Sequence, residues 1–252
     1  MFPAAPLVTV AAPLMPAKGP VIPDFGGTSQ CVKDNGVFCW DWFSHRWGST
    51  FEPALIQHIE LTLIAVGIGF VIAFALAVLA HLVHWTAAPI SVLTAAMYTI
   101  PSLAAFEILV PYTGIGWTTV EVALTSYTLL LLYTNILAGL SGVSPEVLDA
   151  ADGMGLTRFQ RLVRVELPLA VPAIVAGLRI AAVTIISLAA IAAYIVPLGL
   201  GKPIFDSLAN GFFNTSAVAG GVMAIALALI ADGLFAGLQR LLTPWANARR
   251  PA

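Results

Sequence analysis

Residues 61–106 read LTLIAVGIGFVIAFALAVLAHLVHWTAAPISVLTAAMYTIPSLAAF, with no Asp, Glu, Lys or Arg between Glu60 and Glu107. About 20 residues cross the hydrocarbon core of a bilayer, so this run is too long for one span. Its middle, His81-Leu-Val-His84-Trp85-Thr-Ala-Ala-Pro89, places two histidines, a tryptophan and a proline together, the marks of an interfacial turn. One span is predicted near 55–82 and a second near 89–110.

Working outward, a third apolar run follows Glu121 and reaches Leu140. A polar loop over 141–168 then carries Glu146, Asp149, Asp152, Arg158, Arg161, Arg164 and Glu166. A fourth span is predicted over about 169–196 and a fifth over about 216–238. Between them, 197–215 is rich in Gly, Pro and Phe, holds Lys202 and Asp206, and reads as a surface or re-entrant segment. The whole is an all-α membrane protein of about five transmembrane helices. Composition agrees: of 252 residues, 59% are hydrophobic and 10% charged, against about 25% charged in soluble domains. This excludes a soluble globular enzyme and a disordered chain. The net charge of -2 supplies no field for nucleic acid.

The first residues differ. Pro3, Pro6, Pro13, Pro16, Pro20 and Pro23 interrupt an apolar stretch, and interior prolines oppose a spanning helix. No basic region precedes it, so a cleaved signal peptide is not expected. Residues 1–54 are read as a tail, 55–242 as the transmembrane domain, and 243–252 as a second tail. Basic residues set orientation. Arg158, Arg161 and Arg164 in the loop, and Arg240, Arg249 and Arg250 near the C-terminus, fall on one side of a five-span chain. That side is expected to be the cytoplasm, which puts the N-terminus outside, against the opposing charges of Lys18, Lys33 and Arg46. An outside tail permits a Cys31–Cys39 disulfide, the one bridge two cysteines allow. No metal site is expected, because only His45 lies near the cysteines.

The 141–168 loop is the informative part. Ser144-Pro145-Glu146 has the chemistry of a helix start, and Val147, Leu148, Ala151 and Met154 recur at helical spacing. Gly153 and Gly155 end that helix. Thr157-Arg158-Phe159-Gln160 has capping-box spacing and opens a second, and Leu167-Pro168 opens the next span. Two short helices about a glycine bend form a knob, and an apolar stripe on it calls for a protein partner.

This segment resembles a known pattern. Asp149-Ala150-Ala151, three residues, Gly155, nine residues, Val165, one residue, Leu167-Pro168 is similar to the EAA loop of bacterial ABC-importer permeases, with Asp for Glu and Val for Ile. Thr99-Ile-Pro-Ser-Leu103, Gly114-Ile-Gly116, Gly153-Met-Gly-Leu-Thr-Arg158, Val165-Glu-Leu-Pro-Leu169, Gly177-Leu-Arg179 and Gly199-Leu-Gly201 resemble the glycine betaine/carnitine/choline (osmoprotectant) permeases. The resemblance covers roughly 55–242. It implies the type I ABC-importer permease fold in a bacterial plasma membrane. It also implies a second permease copy or paralogue, cytoplasmic ATPase subunits holding ATP and Mg, and an extracytoplasmic substrate-binding protein. The chain itself has no Gly-x-x-x-x-Gly-Lys-Ser/Thr loop, so it is expected to be non-catalytic. The implied ATPase-coupling residues are Asp149, Ala150, Ala151, Gly153, Gly155, Thr157, Arg158, Phe159, Val165, Leu167 and Pro168. A permease for another small solute such as methionine, or a secondary transporter working alone, are the alternatives.

Three residues are candidates for the translocation path. Glu107 is a carboxylate in an apolar span, which is costly unless functional or at the outer interface. Asn135 is an amide in the third span. Arg179 either snorkels or pairs with an acid in the fourth. Tyr127 and Tyr133 read as packing, and His81 and His84 as interfacial.

Overall fold

The computed structural model describes residues 29–244. Pro3 to Pro23, Lys18, Arg249 and Arg250 lie outside the described residues. The elements are helices α1 (Gln30–Lys33), α2 (Trp40–Arg46), α3 (Glu52–Leu82), α4 (Ala87–Thr99), α5 (Ser102–Thr113), α6 (Trp117–Ser141), α7 (Pro145–Gly153), α8 (Arg158–Arg161), α9 (Leu167–Ala192), α10 (Gly201–Ala209) and α11 (Asn214–Leu242). A π-helical turn, Trp47–Phe51, joins α2 to α3, and another, Leu162–Glu166, joins α8 to α9. Four helical runs are long and apolar enough to cross a membrane, and α4 with α5 makes a fifth if the bent pair counts as one span.

Two expectations change. The span near 89–110 is not one helix: α4 and α5 meet at 95°. Pro101 has no N–H to continue the helix and pushes the preceding residue out of the helical region, and Ile100 sits at ψ 128. The tail over 1–54 is not wholly separate either. The helical run begins at Trp40, inside that tail, and continues to Leu82, with Pro53 tolerated in the first turn of α3.

The core is a three-helix contact. On α3, Ala65, Gly69, Ala73, Ala77 and Ala80 recur every three or four residues and are buried. Small side chains let α6 approach closely: a Cβ on Gly69 would lie 1.7 Å from the Thr128 hydroxyl oxygen. The α6–α9 contact repeats the device. A Cβ on Gly139 would meet Ala173 and Ala170, and one on Gly177 would lie 2.7 Å from the Asn135 Cβ. Gly220 is used in the same way against Leu200, Pro203 and Ile204, whereas Gly67 and Gly221 face open space.

Polar side chains fasten the irregular segments. His58, fully buried on α3, accepts the Leu200 N–H at Nδ1 (3.1 Å), so Nε2 carries the proton that it donates to the Ile186 carbonyl (3.0 Å). One neutral imidazole thus ties α3 to α9 and to the turn before α10. The Tyr133 hydroxyl donates to the Ala87 carbonyl at the start of α4 (3.0 Å). At the N-terminal end of α3, Cys31 and Cys39 are joined by a disulfide. Within that closed loop Asn35 donates to the Phe212 carbonyl (2.9 Å) and accepts the Asn214 N–H (2.9 Å), while Asn214 donates to the Asn35 carbonyl (2.8 Å). The Cys39 N–H donates to Thr215 Oγ1 (2.9 Å), and the Trp42 ring packs edge-on to Phe51 and Phe213. The disulfide loop therefore clasps the α10–α11 turn.

Candidate coupling site

The knob forms where local chemistry directs. Ser144 is extended at the N-cap and Pro145 fills the first helical position. The Glu146 backbone N–H and the Ser144 hydroxyl hold the Glu146 carboxyl below the usual carboxylate range. The helix closes with the Met154 N–H on the Ala150 carbonyl (3.1 Å) and the Leu156 N–H on the Ala151 carbonyl (3.3 Å). Gly155 has φ +77, the left-handed conformation that glycine adopts without steric cost. The capping box is complete: the Thr157 N–H donates to Gln160 Oε1 (2.9 Å), and the Gln160 N–H donates to Thr157 Oγ1 (3.3 Å).

The predicted stripe divides. Ala151 is buried, whereas Met154 and Phe159 are 72% and 71% exposed, with Val147 and Val163 exposed beside them. Asp149, Ala150, Gly153, Thr157, Arg158, Arg164 and Pro168 are also exposed, while Val165 and Leu167 are partly covered. The knob thus presents apolar side chains and arginines together.

Arg161 behaves differently from its neighbours. Its Nη1 donates to Asp152 (2.7 Å) and its Nε to Glu166 Oε1 (2.8 Å). Glu166 is 2% exposed, and its other oxygen accepts from His81 Nε2 near the end of α3. His81 is therefore not simply an interfacial histidine. One buried carboxylate receives donors from two elements and anchors the knob to the bundle.

The candidate path residues do not converge. Glu107 is exposed on α5. Asn135 lies in the α6–α9 contact against Gly177, and its amide donates to the Leu131 carbonyl of its own helix (2.7 Å). Arg179 does not snorkel: it forms a two-armed ion pair with Asp232 on α11, Nη2 to Oδ2 at 2.6 Å. Sequence reading passed over Asp232 and His58, and it named Asp152 and Glu166 only as charges of the polar loop. It also treated Glu121 as a boundary, whereas Glu121 lies inside α6, buried, with both carboxyl oxygens lacking a hydrogen-bond partner. For His58, Glu121 and Asp232 the available signal was an ionisable side chain within an apolar run. Among the described residues, no group of three His, Cys, Asp or Glu side chains is placed to hold a metal ion.

The described chain is thus a bundle of apolar helices long enough to span a membrane, with a glycine-bent two-helix knob held to it by a buried ionic joint. Residues 65–244 match the family described as binding-protein-dependent transport system inner membrane component, and the chain belongs to that family. It is accordingly a multi-pass protein of the bacterial plasma membrane with the ABC-importer permease architecture. The osmoprotectant import permease protein OsmW of Salmonella typhimurium is 36% identical over 193 residues, 75% of this chain and 89% of that protein. The choline transport system permease protein OpuBB of Bacillus subtilis is 35% identical, over 75% of this chain and 86% of its own length. Among solved structures, an inward-facing MetNI methionine ABC transporter aligns with a TM-score of 0.70 at 20% identity, covering 75% of this chain and 94% of that one. At that identity the likeness concerns the fold alone.

Proposed function

We propose that this chain is the permease of an ATP-driven importer for osmoprotectants such as glycine betaine, choline or carnitine. The carrying observation is the similarity to osmoprotectant, choline and carnitine permeases over three quarters of the chain. ATP and Mg are held by cytoplasmic ATPase subunits, a second permease completes the path, and an extracytoplasmic binding protein delivers the solute. Methionine is disfavoured, because the methionine transporter resembles the chain in fold only.

The knob is the coupling element. It lies on the arginine-rich side, taken as the cytoplasm, with the N-terminus outside. Met154, Phe159 and Val147 seat in a groove of the ATPase, and Arg158 and Arg164 flank them. When ATP draws the two ATPases together, each knob is pushed and the attached helices tilt between inward- and outward-facing states. Along the route, Glu107 faces cationic solutes while Asn135 and Arg179 border it. Arg179 does so as half of a pair that is partly exposed in the single chain.

The test is uptake by proteoliposomes holding the permease, its ATPase and its binding protein. Radiolabelled betaine, choline or carnitine is taken up and methionine is not. Methionine uptake alone would reject the substrate assignment. Glu107→Gln slows uptake with assembly intact, and unchanged uptake across solutes would remove Glu107 from the path.

A further inference from the structure

The joint at Glu166 has a consequence for how force leaves the knob. Packing joins α3 to α9 directly and through α6, but it leaves the knob itself attached to α3 only by way of α9. The ionic joint ties the knob to the end of α3. Asp152 belongs to α7, Arg161 to α8, and Glu166 to the π-helical turn that leads into α9. His81 is the penultimate residue of α3. The four side chains form one chain of contacts, Asp152 to Arg161 to Glu166 to His81.

Burial makes this joint stiff. Glu166 is 2% exposed, so water does not compete for its oxygens, and each oxygen is committed to a different donor. Taking away one donor leaves a buried carboxylate partly unpaired, which costs far more than losing a surface pair. Separating α3 from the knob during the transport cycle would incur that cost at every turnover.

We propose that His81 is a positioning residue that fastens α3 to the coupling knob through Glu166. In this arrangement α3, the knob and the start of α9 move as one body when the ATPases close. The inference rests on the reading of the knob as the coupling element. His81 touches neither solute nor nucleotide; its role is to direct where the push goes.

The experiment uses the reconstituted transporter and reads three quantities: ATPase co-purification, ATP hydrolysis, and solute taken up per ATP hydrolysed. Glu166→Gln keeps the shape and removes the charge, and His81→Ala removes the donor. Each should lower uptake per ATP by about tenfold while the ATPase still co-purifies. If Glu166→Gln is not recovered as an assembled complex, His81→Leu takes its place, since it fills the space without a donor and Arg161 still pairs with Glu166 there. A merely structural joint would lower the yield of complex and leave uptake per ATP unchanged in what assembles. The second arm is His81→Cys with Glu166→Cys, joined by a short bismaleimide. Cys31 and Cys39 are bonded to each other and do not compete for the reagent. Covalent joining should restore uptake per ATP to at least about a third of wild type, because the two sites travel together. Unchanged uptake per ATP in the single variants, or arrest of transport by the cross-link, would overturn the proposal. Failure of the wild-type chain to bind any ATPase would instead overturn the coupling reading on which it rests.

Discussion

Tyr127 on α6 donates its hydroxyl hydrogen to the carbonyl of Ile100, the residue at which the second span breaks. Pro101 supplies no N–H, and the turn from α4 into α5 takes the Ile100 carbonyl out of the helical ladder. A freed carbonyl in a membrane-spanning bundle needs a donor, and α6 brings one. Tyr133, less than two turns further along, likewise donates to the Ala87 carbonyl at the start of α4. The two tyrosines hold the bent pair at its start and at its corner.

Tyr127→Phe keeps the ring and removes that donor. The loss should be about 1–3 kcal/mol, the penalty for an unsatisfied buried polar group, and should appear as a lower Tm of the detergent-purified chain. An unchanged Tm would mean that water or a lipid headgroup satisfies Ile100 instead.

Gly69 and Gly67 form an internally controlled pair on α3. A Cβ at Gly69 collides with Thr128, whereas one at Gly67 meets nothing within 4 Å. Gly69→Val should abolish recovery of folded protein from membranes, and Gly67→Ala should leave it at wild-type level. Gel filtration of the detergent extract reads both. Equal recovery would show that α3 and α6 pack differently.

Labelling with a membrane-impermeant maleimide tests both the disulfide and the orientation. Neither Cys31 nor Cys39 should react in intact cells, and Cys31, the less buried of the two, should react after an external reductant. Labelling without reduction would argue against the bond, and labelling only after lysis would place this end inside. Cys31→Ser should loosen the hold of Asn35 on Phe212 and Asn214, seen as faster proteolysis of the α10–α11 turn.

What the sequence made legible follows a physical division. The knob was readable because its determinants are local: Ser144 before Pro145, Gly155 at the bend, Thr157 three residues from Gln160. The number of spans was readable from gaps between charges. The break at Pro101 was not read, although the proline was in view, because an uncharged run looks the same whether straight or bent. The start of the first long helix at Trp40 was obscured by the prolines upstream of it. The partners in the long-range joints were beyond reach for another reason. His81 and Glu166 are 85 residues apart, Arg179 and Asp232 are 53 apart, and His58 and Leu200 are 142 apart. Such partners are chosen by helix packing, on which local spacing is silent.

The docking of an ATPase on the knob is tested most directly at Gly155. Its Cβ position is open, so a substitution there acts through the backbone: at φ +77 a β-branched residue is strained and the bend must change. Gly67 on α3, outside the knob, with ordinary φ and the same open surroundings, is the control. The measurement is co-purification of the ATPase together with ATP-driven uptake in proteoliposomes. Gly155→Val should reach the membrane but lose ATPase association or uncouple hydrolysis from uptake, while Gly67→Ala keeps both. A Gly155→Val permease that retains ATPase and uptake at wild-type levels would contradict the coupling role of the knob.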